Sequence, residues 1–240
     1  MSILAVGDIH GYMAELARVL SLADDLRGPD ARIVFLGDLI DRGPDSRGVI
    51  ETLMRGIEAG RDWIVLRGNH DQMFLDFLDD ARTGDPARKL SAAWLDGNNG
   101  GAETLRSYAA GASLERGDWA AAARAVPPAH VRFLESLPFC FQTEEQFFVH
   151  AGIRPGVALG DQTPEDMLWI RREFHDDRRD HGKLIVHGHT PVDTPTHYGN
   201  RVNLDTGAGW GRPLELVEFE GCEARRLTPA GPRPVSRARV

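Results

Sequence analysis

The sequence predicts an α/β (α+β) protein, on three observations. Short apolar runs alternate with amphipathic stretches through the first third of the chain. Those runs end repeatedly in a glycine-flanked Asp, Asn or His. Strand patterns return after residue 140 and close the chain in a β-rich segment.

"ILAVGD" reads as the first strand and "YMAELARVLSLADDL" as a helix with apolar residues at helical spacing. "ARIVFLGD" is the second strand, "SRGVIETLMRGIEAG" the second helix, "DWIVLRGN" the third strand and "DQMFLDFLDDA" the third helix. This alternation implies a sheet with helices packed on its faces. Residues 84–130 are rich in Ala and Gly with no strong strand, and read as a helical insertion. "QFFVHAG" and "KLIVHGHT" restore the strand-then-polar pattern, and "NRVNLDTGA", "PLELVEFEG" and "CEARRL" read as antiparallel strands of a second sheet. Residues 229–240, "PAGPRPVSRARV", carry the Pro- and Arg-rich composition of a disordered tail.

At 240 residues, 42% hydrophobic and 27% charged, the chain has the composition of a globular protein with a full core. No apolar run approaches the ~18–20 residues of a membrane span. "MSILAVGD" lacks the basic start of a signal peptide, and Cys140 and Cys222 are too few for a disulfide framework. These features predict a cytoplasmic protein with no membrane partner, and both cysteines read as core or surface thiols. The net charge of −8 and the lack of a basic stripe before the tail argue against nucleic acid as a partner. An anionic substrate would then need local positive charge that overrides the global field.

"GDLIDRGPDS" (residues 37–46) concentrates the functional question: a buried-strand pattern ends in Asp38, with Asp41 and Arg42 just beyond. Alone it reads as a turn, since turns favour Asp. The pattern recurs, however, as "GDIHG", "GNHD", "HAG" and "HGHT". Ligand sites in α/β sheets form beyond the carboxyl ends of strands, and the flanking glycines permit the tight turns that bring side chains together. Asp8, His10, Asp38, Asn69, His150 and His189 offer carboxylate, amide oxygen and imidazole without thiolate, a set suited to Mn²⁺, Fe or Zn²⁺. These donors exceed the needs of one tetrahedral site and point to two divalent ions, with Asp38 as the bridge.

The string "GDIHG…GDLIDRG…GNHD…HAG…HGHT", extended by "NLDTGA" at 203–208, resembles the phosphoprotein phosphatase (PPP) family of calcineurin-like metallophosphoesterases. The nearest likeness is to small bacterial and phage serine/threonine protein phosphatases. The resemblance implies two packed mixed β-sheets flanked by helices, forming one metallophosphoesterase domain over residues 1–228. It implies that Asp8, His10 and Asp38 hold one metal and that Asp38, Asn69, His150 and His189 hold the other, with Mn²⁺ the expected ion. His70 matches the family's general acid, Asp41 the carboxylate that orients it, and Arg42 and Arg171 the phosphate clamps. The implied activity is hydrolysis of phosphoserine and phosphothreonine in proteins, or of small phosphoesters, by direct attack of a metal-bound hydroxide. The alternatives are symmetrical cleavage of dinucleoside tetraphosphates and a catalytically silent regulatory module. All the family's ligands, arginines and the Asp41–His70 pair are present, against the silent module.

The remaining features have plainer readings. Of the two histidines in "HGHT", His189 matches the family's ligand, and His187, where relatives often carry an apolar residue, reads as lying behind the ligands. Asp205 reads as support for a loop near the metals rather than a ligand. Asp71, where relatives carry Glu, reads as a first-turn helix acid. His130, His175, His181 and His197 read as surface histidines, and Trp94, Trp119, Trp169 and Trp210 as packing residues. "NNGG" at 98–101 reads as part of the active-site rim, and Arg154 as either a substrate contact or a surface residue.

Overall fold

The computed structural model describes residues 2–83, 93–95, 97–109 and 119–238. Its first sheet contains β1 (Ile3–Val6), β2 (Ile33–Phe35), β3 (Trp63–Val65), β9 (Leu216–Glu220), β10 (Glu223–Thr228) and β11 (Gly231–Pro234). Its second contains β4 (Cys140–Gln142), β5 (Gln146–Val149), β6 (Leu184–His187), β7 (Thr196–His197), β8 (Arg201–Asn203) and β12 (Ser236–Arg237). The orders are β11-β10-β9-β1-β2-β3 and β12-β7-β8-β6-β5-β4. Both sheets are mixed: β1, β2 and β3 run parallel, as do β5, β6 and β8, while β9 runs antiparallel to β1.

The period-2 alternation of strands explains why both faces of these sheets are apolar. Ile3, Ala5, Val34 and Leu36 point between the sheets and meet Phe148, Val186, Val202 and Leu204. Leu4, Val6, Ile33 and Phe35 point the other way, onto α1 (Met13–Arg27), α2 (Ser46–Glu58) and α3 (Asn69–Thr83), against Leu16, Val19, Leu53 and Phe74. Phe147, Val149 and Ile185 on the outer face of the second sheet pack with Met167 of α7 (Pro164–Trp169) and Phe174 of α8 (Arg172–His175). The result is a helix–sheet–sheet–helix sandwich, as expected. The described part of the insertion is helical, forming α4 (Gly101–Tyr108), α5 (Trp119–Arg124) and the start of α6 (Pro128–Ser136); residues 84–92, 96 and 110–118 of it lie outside the described residues. Among the described residues no helix is long and apolar enough to cross a membrane.

Two expectations are corrected. "PLELVEFEG" and "CEARRL" form β9 and β10, which join the first sheet rather than the second. Val217 and Phe219 of β9 enter the inter-sheet core on the same side as Ile3 and Ala5, so pairing with β1 buries both strands' apolar sides together. Residues 231–237 of the expected disordered tail form β11 and β12. Pro232 and Pro234 sit on an edge strand, where a missing N–H is tolerated, and buried Val235 turns into the inter-sheet core. β12 then pairs with β7 of the other sheet, so the tail ties the sandwich together.

Glu218 of β9 is buried and bonds Arg27 of α1 through both oxygens, at 2.5 and 2.6 Å. That guanidinium holds the Glu218 carboxyl below the usual range, against the opposing effect of burial. A depressed folded-state pKa means stability present above the unfolded value and lost as pH falls through the folded one. Glu218→Gln is therefore expected to lower stability by about 1 kcal/mol near pH 7. In denaturant titrations, the difference from wild type should begin to shrink as pH falls below the ordinary glutamate value of about 4.3 and vanish below the depressed folded-state value.

Candidate metal centre

The strand exits place the side chains. Asp8 and His10 follow β1, Asp38, Asp41 and Arg42 follow β2, and Asn69 and His70 open α3 after β3. His150 follows β5 and His189 follows β6. The non-glycine residues with positive φ among those described are His10, Asp38, Asp41, Arg42 and His189, at 50°, 50°, 75°, 66° and 69°. Each is a residue picked out from the sequence, and such backbone strain clusters where the surrounding structure forces a functional geometry. Gly37, with φ 92°, and Gly68 allow the β2 and β3 exits to touch: a Cβ on Gly37 would lie 2.4 Å from the Gly68 nitrogen.

Asp38 stands at the middle. Its Oδ1 lies 3.4 Å from His150 Nε2, and its Oδ2 lies 3.6 Å from His10 Nε2 and 4.0 Å from His70 Nε2. His150 Nε2, His189 Nδ1 and Asn69 Oδ1 converge, with separations of 2.8, 2.9 and 3.2 Å. The donors thus form two groups that share Asp38, one with His10 and one with His150 and His189. Asp8 lines the same cavity, its carboxylate accepting the His189 backbone N–H at 3.1 Å. His70 also lies within reach of the first group, but its nitrogens are engaged by Asp41 and Arg42.

The residues fit divalent cations. Burial holds the pKa values of His10, His150 and His189 below the ordinary histidine value, so their imidazoles are neutral, the form that ligates. His10 Nδ1–H donates to Ile40 O at 2.8 Å and His150 Nδ1–H to Leu36 O at 2.9 Å, which turns both Nε2 lone pairs inward. Burial, and then the charges of Asp205 and Asp38, push the Asp8 carboxyl up, a repulsion that a cation would relieve.

Asp8, His10, Asp38, Arg42, Asn69, His70, Arg171 and His189 line one cavity of about 180 Å³, while Asp41 and His150 are buried behind it. All the residues picked from the sequence are brought together here. Arg42 donates from one terminal nitrogen to His10 Nε2 at 2.5 Å, its other terminal nitrogen lies 3.1 Å from His70 Nε2, and Arg171 Nε lies 2.9 Å from His189 Nε2. The "NNGG" element holds Arg42 in place, Gly100 O accepting its backbone N–H at 3.3 Å.

Burial lowers the His70 pKa, but the carboxylates of Asp38 and Asp41 outweigh it and hold the value above ordinary. Asp41 accepts from His70 Nδ1 at 2.6 Å, Trp94 Nε1 at 2.7 Å and Thr104 Oγ1 at 2.6 Å. Sequence reasoning missed this role of Trp94, read as packing, and missed Thr104; both reach Asp41 from the insertion, and the neighbouring "NNGG" at 98–101 was the signal that this segment lies at the site. Trp94→Phe should keep the stacking on Phe74 and remove one donor to Asp41. About a tenfold fall in kcat on an alkyl phosphate ester is expected, with unchanged metal content, as one hydrogen bond to a charged group implies.

Several plain readings change. Asp71 is fully buried and clips two loops together, accepting from Gly68 N–H at 2.8 Å and Leu39 N–H at 3.1 Å; burial and Asp38 push its carboxyl up to about 8. His130 and His197 are buried, not superficial: His130 bonds Tyr108 and His197 bonds the Cys222 carbonyl, contacts supplied by distant segments. Asp205 lines the cavity beside Asp8, and burial pushes it up to about 6. Trp210 also lines the cavity and is 60% exposed, where packing was expected. Arg154 bonds Asp166 and Glu173. His187, buried, accepts from Arg201 at 3.0 Å and supports the loop carrying His189.

A paired-sheet sandwich with these donors at its strand ends, faced by Arg42 and by Arg171 from the link between α7 and α8, has the make-up of a metallophosphoesterase hydrolase. The chain belongs to the calcineurin-like phosphoesterase family, whose model matches residues 1–220. It is 30% identical to the bis(5'-nucleosyl)-tetraphosphatase PrpE [asymmetrical] of Anoxybacillus flavithermus, over 91% of this chain and 90% of that protein. The PrpE of Geobacillus thermodenitrificans is likewise 30% identical, over 91% of each chain. These relatives carry a dinucleotide hydrolase's name, where the sequence motifs favoured protein phosphatases. Among solved structures, a candidate diadenosine tetraphosphatase superposes with a TM-score of 0.66 at 21% identity, covering 97% of this chain and 93% of that one. A cold-active protein-tyrosine phosphatase of a Shewanella species gives 0.62 at 16%, covering 98% and 80%. At such identities these two speak for the fold alone.

Proposed function

We propose that this protein hydrolyses dinucleoside tetraphosphates asymmetrically, using two divalent ions, Mn²⁺ foremost with Fe or Zn²⁺ as alternatives. The observation that carries the chemistry is the pair of donor groups sharing Asp38 in a cavity faced by His70, Arg42 and Arg171. The relationship to PrpE over nine-tenths of the chain supports the substrate. Asp8, His10 and Asp38 would hold one ion, and Asp38, Asn69, His150 and His189 the other. Bound there, the ions supply Lewis acidity and lower the pKa of water to near neutrality.

The chain's own residues do the rest. Arg42 and Arg171 flank the cavity and match the planar fork of a guanidinium to phosphate oxygens. His70, oriented by Asp41, carries a proton at Nε2 toward the departing oxygen. Water attacks phosphorus, the phosphorus–oxygen bond to the leaving group breaks, and diadenosine tetraphosphate plus water gives ATP plus AMP.

A second reading, hydrolysis of phosphoserine and phosphothreonine esters, has one specific support. A buried, carboxylate-oriented imidazole suits an alkoxide, which needs protonation more than a phosphate leaving group does. Metal-free protein reloaded separately with Mn²⁺, Zn²⁺ and Fe²⁺ should be offered diadenosine tetraphosphate, a phosphoserine peptide and an aryl phosphate. Release of ATP and AMP is the expected result. Two ADP would favour symmetrical cleavage, and turnover of the peptide without the dinucleotide would overturn the first reading.

A further inference from the structure

Trp210 is the most exposed of the large apolar side chains in the described residues, at 60%, and it lines a cavity whose other side chains, Pro191 aside, are charged or polar. A tryptophan is normally highly buried, so an indole left in water contributes little to folding and calls for another account. Its position is also fixed. The turn Ala208–Trp210 lies between Gly207 and Gly211, both left-handed with φ 79°. Trp210 N–H donates to Gly207 O at 2.9 Å, and Gly211 N–H to Ala208 O at 2.8 Å. Gly209 rests against the metal ligand His10, where an added Cβ would lie 2.5 Å from the ring carbon Cδ2. The turn that presents the indole is thus keyed to the metal centre.

One side of the indole is engaged: the Arg42 guanidinium carbon lies 4.7 Å from the ring centre. Arg42 is also the residue placed to grip phosphate. Its plane therefore links a phosphate subsite, through its donor edge, to an aromatic surface, through its face.

We propose that Trp210 is a stacking platform for a purine base of the substrate, joined through its ribose to a phosphate held by Arg42. The inference rests on the dinucleoside tetraphosphate reading and names how that substrate is recognised. A nucleotide carries its ring one sugar away from phosphate, which suits an indole at the rim beside the phosphate-gripping arginine. A phosphoserine peptide has no aromatic ring at a fixed distance from phosphorus. A phosphotyrosine ring is bonded directly to the phosphate oxygen and would sit inside the cavity rather than over its rim.

The test compares KM for diadenosine tetraphosphate with Ki for inorganic tetraphosphate, a base-free anion that competes for the same arginines and metals. In Trp210→Leu the ratio of KM to Ki should rise about tenfold, the size that loss of one base stack supports. Trp210→Phe, which keeps an aromatic face, should recover most of it. AMP should quench part of the tryptophan fluorescence of wild type, and that part should be missing in Trp210→Leu. An unchanged ratio in Trp210→Leu overturns the platform while leaving the substrate reading intact. A raised KM for a phosphopeptide with the ratio unchanged also overturns it, assigning the indole to a peptide. Wild-type protein that hydrolyses an aryl phosphate but not the dinucleotide overturns the substrate reading beneath it.

Discussion

Asp38→Asn should leave a folded protein that has lost both metal and activity, with kcat/KM down by 10³-fold or more, about 4 kcal/mol. The reason is position. Asp38 is buried between the two donor groups, one carboxylate oxygen near His150 and the other near His10. Its backbone is held in the left-handed region at φ 50°, and Asn tolerates that region as well as Asp does. The Asn side-chain oxygen can still accept the His70 backbone N–H that Asp38 Oδ1 accepts at 2.9 Å. The substitution thus removes a charge and a second ligating oxygen while sparing the local architecture. Metal content by elemental analysis and circular dichroism together check it. A metal-replete, fully active Asp38→Asn protein would remove the bridge from the account.

His70→Asn should retain its metals and lose 10²- to 10⁴-fold in kcat on an alkyl phosphate ester, the usual weight of a positioned general acid. The loss should shrink on an aryl phosphate and on a dinucleotide, whose leaving groups need less protonation. His70 is suited to this by its Asp41 partner at 2.6 Å and by the raised pKa that its carboxylate neighbours impose. Asp41 is itself fixed by Trp94 and Thr104, so the orientation of the acid depends on the insertion. Equal losses on alkyl and aryl substrates would assign His70 to binding instead.

The site was more legible than the fold around it. The side chains that meet at the cavity could be picked out because the proposed chemistry demands few residue types, and each sits at or just beyond the point where an apolar strand pattern stops. The helix–strand alternation of the first third was equally readable, since each element carries its own periodicity. Sheet membership was not: the alternation in "LELVEFE" announces a strand, but only three-dimensional closure decides that β9 pairs with β1. The tail's prolines signalled disorder, whereas an edge position accommodates them and one buried valine anchors the turn between strands. His197 sits among polar neighbours in sequence and His130 follows a proline pair, yet both are covered by distant segments. Asp71 looked like an ordinary first-turn acid because nothing local reveals that its carboxylate reaches the Leu39 backbone. Trp210 was misread for the opposite reason: an apolar residue suggests packing, and its exposure comes from the glycine-flanked turn that carries it.

Side chains from Asp8 to His189 would surround a pair of neighbouring cations with Asp38 between them. Loading metal-free protein with Mn²⁺ and recording its electron paramagnetic resonance spectrum alongside the metal count tests this directly. Two ions per chain with the spectrum of a magnetically coupled pair, reduced to uncoupled signal in Asp38→Asn, is the predicted result. One ion per chain, or two that show no coupling in wild type, would contradict it.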